Sequence, residues 1–250
     1  MGIPTIAHES NARPGLAIKQ LQGSLDKILV NFKDTENYVK NKEKVMHVGN
    51  PIRGGFGGLD YVEARKMLGI KDDETYVLAF GGSLGAQRMN EIVFEYMKNH
   101  ARNDDKVICH LATGRMYYSE FSQMYKEAGL ENCSNLSMME YIHDMHVRMS
   151  AADIIICRAG AMTISELAMM KKASIIIPSP NVVDNHQYKN AKYLYDSGVC
   201  EMIEDLKDNE SASYIYNIYL KKDKNNKLLN RKKGIVIYDS AKLISKIINN

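Results

Sequence analysis

No stretch of this 250-residue chain is apolar for long enough to cross a bilayer as a helix, and the start MGIPTIAHES lacks the apolar core of a secretion signal. Cysteine is scarce. The four present, Cys109, Cys133, Cys157 and Cys200, are far apart and form no CxxC pair, and Cys109 and Cys157 sit inside predicted strands. Buried free thiols in a reducing compartment are the expectation. Charge of one sign is scarce too: 33 basic against 30 acidic side chains leave +3. That excess is too small to argue for nucleic acid and is compatible with weak attraction to an anionic membrane surface. His110 and His143 have no partner at metal-ligand spacing. The expected location is therefore the cytoplasm.

What the chain does have is glycine in informative places. FGGSLGAQRMN, Phe80 to Asn90, follows the apolar run TYVLAF and precedes the helical pattern MNEIVFEYMKN. Gly81, Gly82 and Gly85 permit backbone conformations that a Cβ obstructs, and they leave amides uncovered where a helix begins. Such a turn is either an anion cradle, with Ser83 as an added donor, or a plain connection. A second turn of the same kind favours the cradle.

That second turn lies in IIICRAGAMTISELA, Ile154 to Ala168. An apolar strand ends at Cys157, Gly160 supplies the turn, and Thr163 or Ser165 is expected as the helix cap, with Glu166 in the first helical turn. Glu166 has two readings. The helix dipole alone favours a carboxylate there, whereas at the carboxyl end of a parallel sheet it would accept hydrogen bonds from a ribose diol. Two such turns on neighbouring strands point to a nucleotide diphosphate.

Apolar runs alternate with helical patterns along 75–205: TYVLAF, VICHLA, NLSMM, DIIIC, ASIIIP and VCEMI are separated by segments such as YYSEFSQMYKEAG and NHQYKNAKYLYDSG. This predicts a doubly wound α/β domain with a parallel sheet covered on both faces. Residues 209–250 read as helical, with Ala241, Ile244, Ile247 and Ile248 on one stripe. The first 50 residues hold three short strands and one helix, too little for a covered sheet of their own. They are the tail of something longer, or they pair with a partner chain. GNPIRGGFGG, 49–58, reads as a linker.

HESNARPG (8–15), GNPIR (49–53), GGSLGAQRMNE (81–91), EYIHDM (140–145), CRAGAMTISELA (157–168) and IPSPNVVDNHQYKNA (177–191) together resemble the MurG family of bacterial N-acetylglucosaminyltransferases, a glycosyltransferase family 28 type. The resemblance implies a GT-B fold: one complete Rossmann-like C-terminal domain plus the tail of a truncated N-terminal Rossmann-like domain. The implied division is 1–50, remnant of the acceptor-side domain; 51–58, interdomain linker; 59–235, UDP-sugar-binding domain; 236–250, a helix packing back toward the N-terminal domain. The implied reaction is inverting transfer of N-acetylglucosamine from UDP-N-acetylglucosamine to undecaprenyl-pyrophosphoryl-muramoyl pentapeptide, lipid I to lipid II in peptidoglycan synthesis. It would run at the cytoplasmic face of the membrane, peripherally, with no metal and no cofactor. By matching position, Ser83 would contact the diphosphate and Arg53 would lie by the nucleotide. Ile142 would meet uracil through its backbone, and Ala161, Met162 and Thr163 would face the phosphates through theirs. Glu166 would bind the ribose, Gln187 the sugar hydroxyls, and Asn11 the sugar from the opposite wall. These roles suit the side chains, since a guanidinium matches a diphosphate, a carboxylate a diol and an amide a hydroxyl.

The sequence departs from the family in one respect. The family's longer N-terminal domain carries a further glycine-rich turn ending in histidine, linked to the acceptor and to catalysis, and nothing here matches it; GGFGG is preceded by no apolar strand and followed by no histidine. Truncation is the expectation, with a partner chain supplying the missing half as the other reading. The catalytic base is expected in that part. His8 and Glu9 are the weaker candidates within this chain. His186 beside Gln187 has a packing role as its alternative. The run NRKKG, Asn230 to Gly234, with Lys227, is read as a solvated helix face before a lipid contact, and Met138, Met139, Met169 and Met170 as core filling. A UDP-sugar epimerase of similar fold and a noncatalytic donor-binding subunit are the competing functions.

Overall fold

Six apolar runs become the strands of one parallel sheet. The computed structural model describes residues 2–198, 200–203 and 210–217. Within them β4 (Thr75–Phe80), β5 (Val107–Ala112), β6 (Leu136–Met139), β7 (Ile154–Cys157), β8 (Ser174–Ile176) and β9 (Glu201–Met202) lie in the order β6-β5-β4-β7-β8-β9. Every pairing in it is parallel. The central strands read as unbroken apolar runs because both of their faces are covered: each residue from Thr75 to Phe80 is buried.

Successive residues of those strands feed two different cores, the period of two expected of a pleated strand. Val77, Ala79, Cys109, Leu111, Ile154 and Ile156 join Met89, Ile92, Val93 and Tyr96 of α3 (Gln87–Asn99) and Phe121 of α4 (Tyr118–Glu127). Tyr76, Leu78, Phe80, Ile155 and Cys157 join the opposite face, with Ala64 of α2 (Tyr61–Leu68), Met149 of α5 (Met145–Ala151), Ile164 of α6 (Ala161–Met170) and Leu194 of α7 (His186–Asp196). The expected doubly wound sheet is what forms. Cys109, Cys157 and Cys200 are buried free thiols, and burial pushes the Cys109 thiol up to about 12.

The strand order sets where the site lies. The chain adds β5 and β6 on one side of β4, then returns to add β7, β8 and β9 on the other. Between β4 and β7 the winding reverses, and at such a switch point the loops diverge and open a crevice. Phe80 and Cys157, the last residues of β4 and β7, are paired in register. The two glycine turns that follow them therefore leave the same edge of the sheet side by side.

The opposite edge is closed by buried charge. Arg65, 1% exposed, meets Asp153 at 3.0 Å, and Asp153 also accepts the Tyr76 N–H and the Tyr61 O–H, both at 2.8 Å. The second terminal guanidinium nitrogen donates to the Lys71 and Glu74 carbonyls, while Nε is buried without a partner. This network joins α2, β4 and β7 where no ligand is expected. Lys172 donates to the Ser150 and Ala152 carbonyls at the end of α5, and burial lowers its ammonium to about 8.

The first 50 residues form a small parallel sheet of β1 (Ile6–Glu9), β2 (Lys27–Val30) and β3 (Val45–His47), with α1 (Leu16–Leu21) across it. Ile18, Leu25, Ile28, Val30 and Val39 are its own core. It is fastened to the larger unit by Phe32 edge-on to Tyr193 at 4.9 Å and by Asn50, which donates to the Ala161 carbonyl and to Ser165 on α6. The segment 49–58 has no helix or strand, as expected of a linker, yet Phe56 is 6% exposed, Gly55 lies against His146, and Gly57 against Met169. One aromatic anchor is enough to turn a glycine-rich connection into a docked one. Residues 210–217 are helical. The helix expected over 236–250, the Ala241–Ile248 stripe and the basic run at Asn230–Gly234 with Lys227 lie outside the described residues.

Candidate functional site

The first glycine turn is interlocked with the loop after β5. Gly82 and Gly85 both sit at φ +92°, in the left-handed region, and a Cβ on Gly85 would collide with the Thr113 carbonyl. The Arg115 and Met116 amides donate to the Ser83 and Leu84 carbonyls at 3.1 and 3.2 Å, and Asn90, fully buried, donates to the Thr113 carbonyl at 2.8 Å. The turn is held rigid from outside. Its own helix, α3, starts at Ala86 with no side-chain cap and no acidic residue in its first turn.

The second turn repeats this. Helix α6 begins at Gly160, again with no side-chain cap and no acid in the first turn. This corrects the expected cap. Because Gly160 starts the helix at once, Thr163 and Ser165 fall inside it. Ser165 donates to the Ala161 carbonyl at 3.1 Å, and Glu166 stands in the second turn instead of the first. The dipole explanation for Glu166 lapses with that correction, because the effect fades beyond the first turn. By contrast, α2 is capped by Asp60, which accepts from the Val62 and Glu63 amides, and carries Glu63 in its first turn. The amide groups of Ala161, Met162 and Thr163 open α6, where no intrahelical carbonyl can serve them.

The first of these turns, and Arg158 just ahead of the second, border a cleft of about 690 Å³ lined by Gly81, Gly85, Ala86, Arg88, Tyr117, Arg158, Ser179, Asn181 and Gln187 among others. Gln187 accepts the Ser179 N–H at 2.9 Å through Oε1, which leaves its amide nitrogen as a donor for a ligand. Arg158 holds the cleft together, one guanidinium nitrogen donating to the Ile177 and Pro178 carbonyls at 3.0 Å each. Arg158 and Arg88 were missed as site residues by sequence reasoning. Their signal was present, since each flanks a glycine turn within a quoted motif. Ser83 is exposed at the tip of the first turn.

The other expected site residues do not line that cleft. Glu166, 7% exposed, faces Arg53 at 3.8 Å, and burial raises its carboxyl above the usual range while the Arg53 charge opposes the rise. Arg53 is mostly exposed and lies over the Phe56 ring at 5.6 Å. Ile142, 3% exposed, packs its side chain into the core and so presents only backbone. Its loop is braced from behind: Arg148 donates to Asp144 and to His110 Nδ1, both at 2.8 Å, and the Tyr76 hydroxyl lies 3.0 Å from the same nitrogen. Burial, then the Arg148 charge, push His110 down to about 4, so it stands as a neutral acceptor.

Asn11 belongs to the small sheet's side. Its Nδ2 donates to Glu9 at 3.1 Å and its Oδ1 accepts from Asn190 at 3.1 Å. The candidate bases are engaged structurally. Glu9 accepts the Asn11 and Gly15 amides at 2.9 and 2.7 Å in addition to the Asn11 side chain, and His8 bonds the Gly49 carbonyl at 2.8 Å with Ser10 on its other nitrogen. Among the described residues no group of three or more His, Cys, Asp or Glu side chains is arranged to hold a metal, and no helix is long and apolar enough to cross a membrane.

A parallel sheet with two uncapped helix starts at its switch point, a buried carboxylate and a polar cleft defines a GT-B-type nucleotide-binding domain. Residues 76–246 match the glycosyltransferase family 28 C-terminal domain. The chain belongs to that family. It is 38% identical over 254 residues to the UDP-N-acetylglucosamine--N-acetylmuramyl-(pentapeptide) pyrophosphoryl-undecaprenol N-acetylglucosamine transferase of Acetivibrio thermocellus, covering 100% of this chain and 67% of that protein. Against other curated relatives of the same description it spans as little as 54% of their length. The fold is that of Acinetobacter baumannii MurG, at TM-score 0.73 and 24% identity over 100% of this chain and 68% of that one. A UDP-N-acetylglucosamine 2-epimerase shares it at TM-score 0.61 and 11% identity, over 91% of this chain and 58% of the other.

Proposed function

We propose that this chain holds the donor side of N-acetylglucosamine transfer from UDP-N-acetylglucosamine to a lipid-linked muramoyl pentapeptide, acting peripherally at the cytoplasmic face of the membrane in peptidoglycan synthesis. The observation that carries this reading is the register pair Phe80↔Cys157, which puts two uncapped helix starts side by side. Two partial positive charges converging on one point suit a diphosphate better than a single phosphate. In this reading residues 59–235 are the donor domain, 51–58 the junction, and 1–50 the end of the acceptor-side domain, with 236–250 packing back onto it.

Each side chain then has a role that its environment suits. Ser83 and the amides of Ala161, Met162 and Thr163 take the diphosphate. The Ile142 backbone meets uracil on a loop braced by Arg148. Glu166 takes the ribose diol, for which a carboxylate with a single, distant ionic partner is ready. Arg53, released from Glu166 by the diol, turns to the phosphates. Gln187 and Asn11 address the sugar from opposite sides. In an inverting displacement the muramoyl 4-hydroxyl attacks the anomeric carbon as UDP leaves. The fixed amides and guanidinium groups stabilise the charge gathering on the departing diphosphate without reorganising. The acceptor's proton goes to a base outside the residues assigned here, because Glu9 and His8 are committed to holding their loop.

Calorimetric titration of the chain with UDP tests the reading, with heat of binding expected and its absence overturning it. Incubation with UDP-N-acetylglucosamine alone separates the epimerase, since a transferase leaves the donor's sugar configuration unchanged. The curated relative's name supports transfer, whereas the epimerase shares only the fold. Addition of the relatives' N-terminal part in trans tests whether a partner chain completes the acceptor site.

A further inference from the structure

Asn190 is fully buried in the middle of α7, one helical turn after Gln187, and every side-chain bond it makes leaves its own helix. Its Oδ1 accepts the Ala12 N–H at 2.9 Å. Its Nδ2 donates to Asn11 Oδ1 at 3.1 Å and to the Ala159 carbonyl at 3.3 Å. One amide thus reaches the loop after β1 and the residue just before Gly160, from the helix that bears Gln187. The far side of the Asn11 loop is fixed as well: Thr35, fully buried, donates to the Asn11 and Ala12 carbonyls, and Glu9 holds the Asn11 nitrogen. Asn11 Oδ1 takes its orientation from Asn190. Only an amide meets this need, because the site asks for one acceptor and two donors on a single planar group.

We infer that Asn190 is a positioning residue that sets Asn11 and Gln187 at a fixed separation across the junction of the two sheets, and so determines recognition of the donor's sugar while leaving recognition of UDP alone. The inference rests on the function proposed above and extends it to a residue that touches no ligand. It has a specific consequence. The groups assigned to uracil, ribose and diphosphate stand on the turn after β4, α6, the 49–58 segment and the loop after β6; of the Asn190 side-chain bonds only the longest, to the Ala159 carbonyl at 3.3 Å, approaches them, while the two shorter ones both go to the Asn11–Ala12 loop. A loss of Asn190 therefore falls on the sugar increment, the ratio of UDP-N-acetylglucosamine affinity to UDP affinity.

The test is calorimetry of the wild-type chain, Asn190→Ala, Asn11→Ala and the double variant with UDP and with UDP-N-acetylglucosamine, alongside thermal unfolding. Asn190→Ala is expected to bind UDP within about twofold of wild type and UDP-N-acetylglucosamine about tenfold more weakly, the scale of one or two buried hydrogen bonds. The two single losses are expected to be non-additive in the double variant, since Asn190 acts through Asn11. Parallel loss of both ligands, loss of neither, or strict additivity overturns the inference. Absence of UDP binding in the wild-type chain overturns the functional reading instead. If Asn190→Ala loses cooperative unfolding, Asn190→Asp is read in its place; it keeps the volume and the Ala12 bond but sets a carboxylate oxygen against the oxygens of Asn11 and Ala159.

Discussion

The two edges of the large sheet treat their polar groups in opposite ways. At the amino edge Arg65, Asp153 and Tyr61 bond one another inside the protein and α2 is capped by Asp60, with Arg65 Nε left unpartnered. At the carboxyl edge α3 and α6 begin without caps, with no acid in either first turn, and Glu166 is buried with one ionic partner at 3.8 Å. A missing cap alone does not set α3 and α6 apart, since α1, α4, α5 and α7 also begin without one; what distinguishes them is that both follow glycine turns on strands that end in register. The difference teaches that two glycine turns on strands ending in register, with a buried carboxylate nearby, mark the site more sharply than missing caps or unpartnered polar atoms, which occur at both edges.

The contrast is breakable. The largest effect is expected from Asp153→Ala, which strands Arg65 in the core and costs about 3–5 kcal/mol in denaturant unfolding, with UDP affinity unchanged in the fraction that remains folded. Next, Glu166→Ala is expected to weaken UDP binding by at least about tenfold, as loss of a charge-assisted pair of hydrogen bonds should, while melting stays near wild type. Preserved affinity would remove the ribose from Glu166. Third, Gly160→Asp places a cap on α6, where an added Cβ meets nothing closer than 3.7 Å. The helix should gain about 0.5 kcal/mol while UDP affinity falls about tenfold, a change of opposite sign in the two assays. A capped α6 that binds UDP as before would show that its start is merely open.

The smallest effect concerns pH. Lys172 is held down to about 8, so between there and the ordinary lysine value of 10.5 this group binds more protons in the unfolded chain than in the folded one and contributes a rise in stability with pH. Cys109, raised from 9.0 to about 12, and Tyr61, raised from 10.0 to about 12, act in the opposite direction above their ordinary values. The Lys172 contribution should therefore show between about pH 8 and 9, on the order of 1 kcal/mol in urea unfolding, and Lys172→Met should remove it.

Much of this was legible from residues in order. A run such as TYVLAF can only be a strand covered on both sides, and alternation with helical patterns leaves little besides a doubly wound sheet. The start of α6 was not legible to the residue: hydroxyls at Thr163 and Ser165 look like caps, but Gly160 begins the helix first. The linker was half legible, because glycine content predicts freedom and only the burial of Phe56 shows docking. Arg158 and Asn190 were in view within quoted motifs and went unassigned, because their roles are defined by partners 19 to 179 residues away.

Local sequence thus determined the strands, the glycine turns and the chemical types gathered near them, since these depend on backbone freedom and apolar period within a few residues. Tertiary structure alone decided that β4 and β7 are neighbours ending in register, that Glu166 is buried beside Arg53, and that Asn190 bonds Asn11 across two sheets. Those relations come from strand order and packing, which bring together residues whose separation along the chain carries no record of their distance in space.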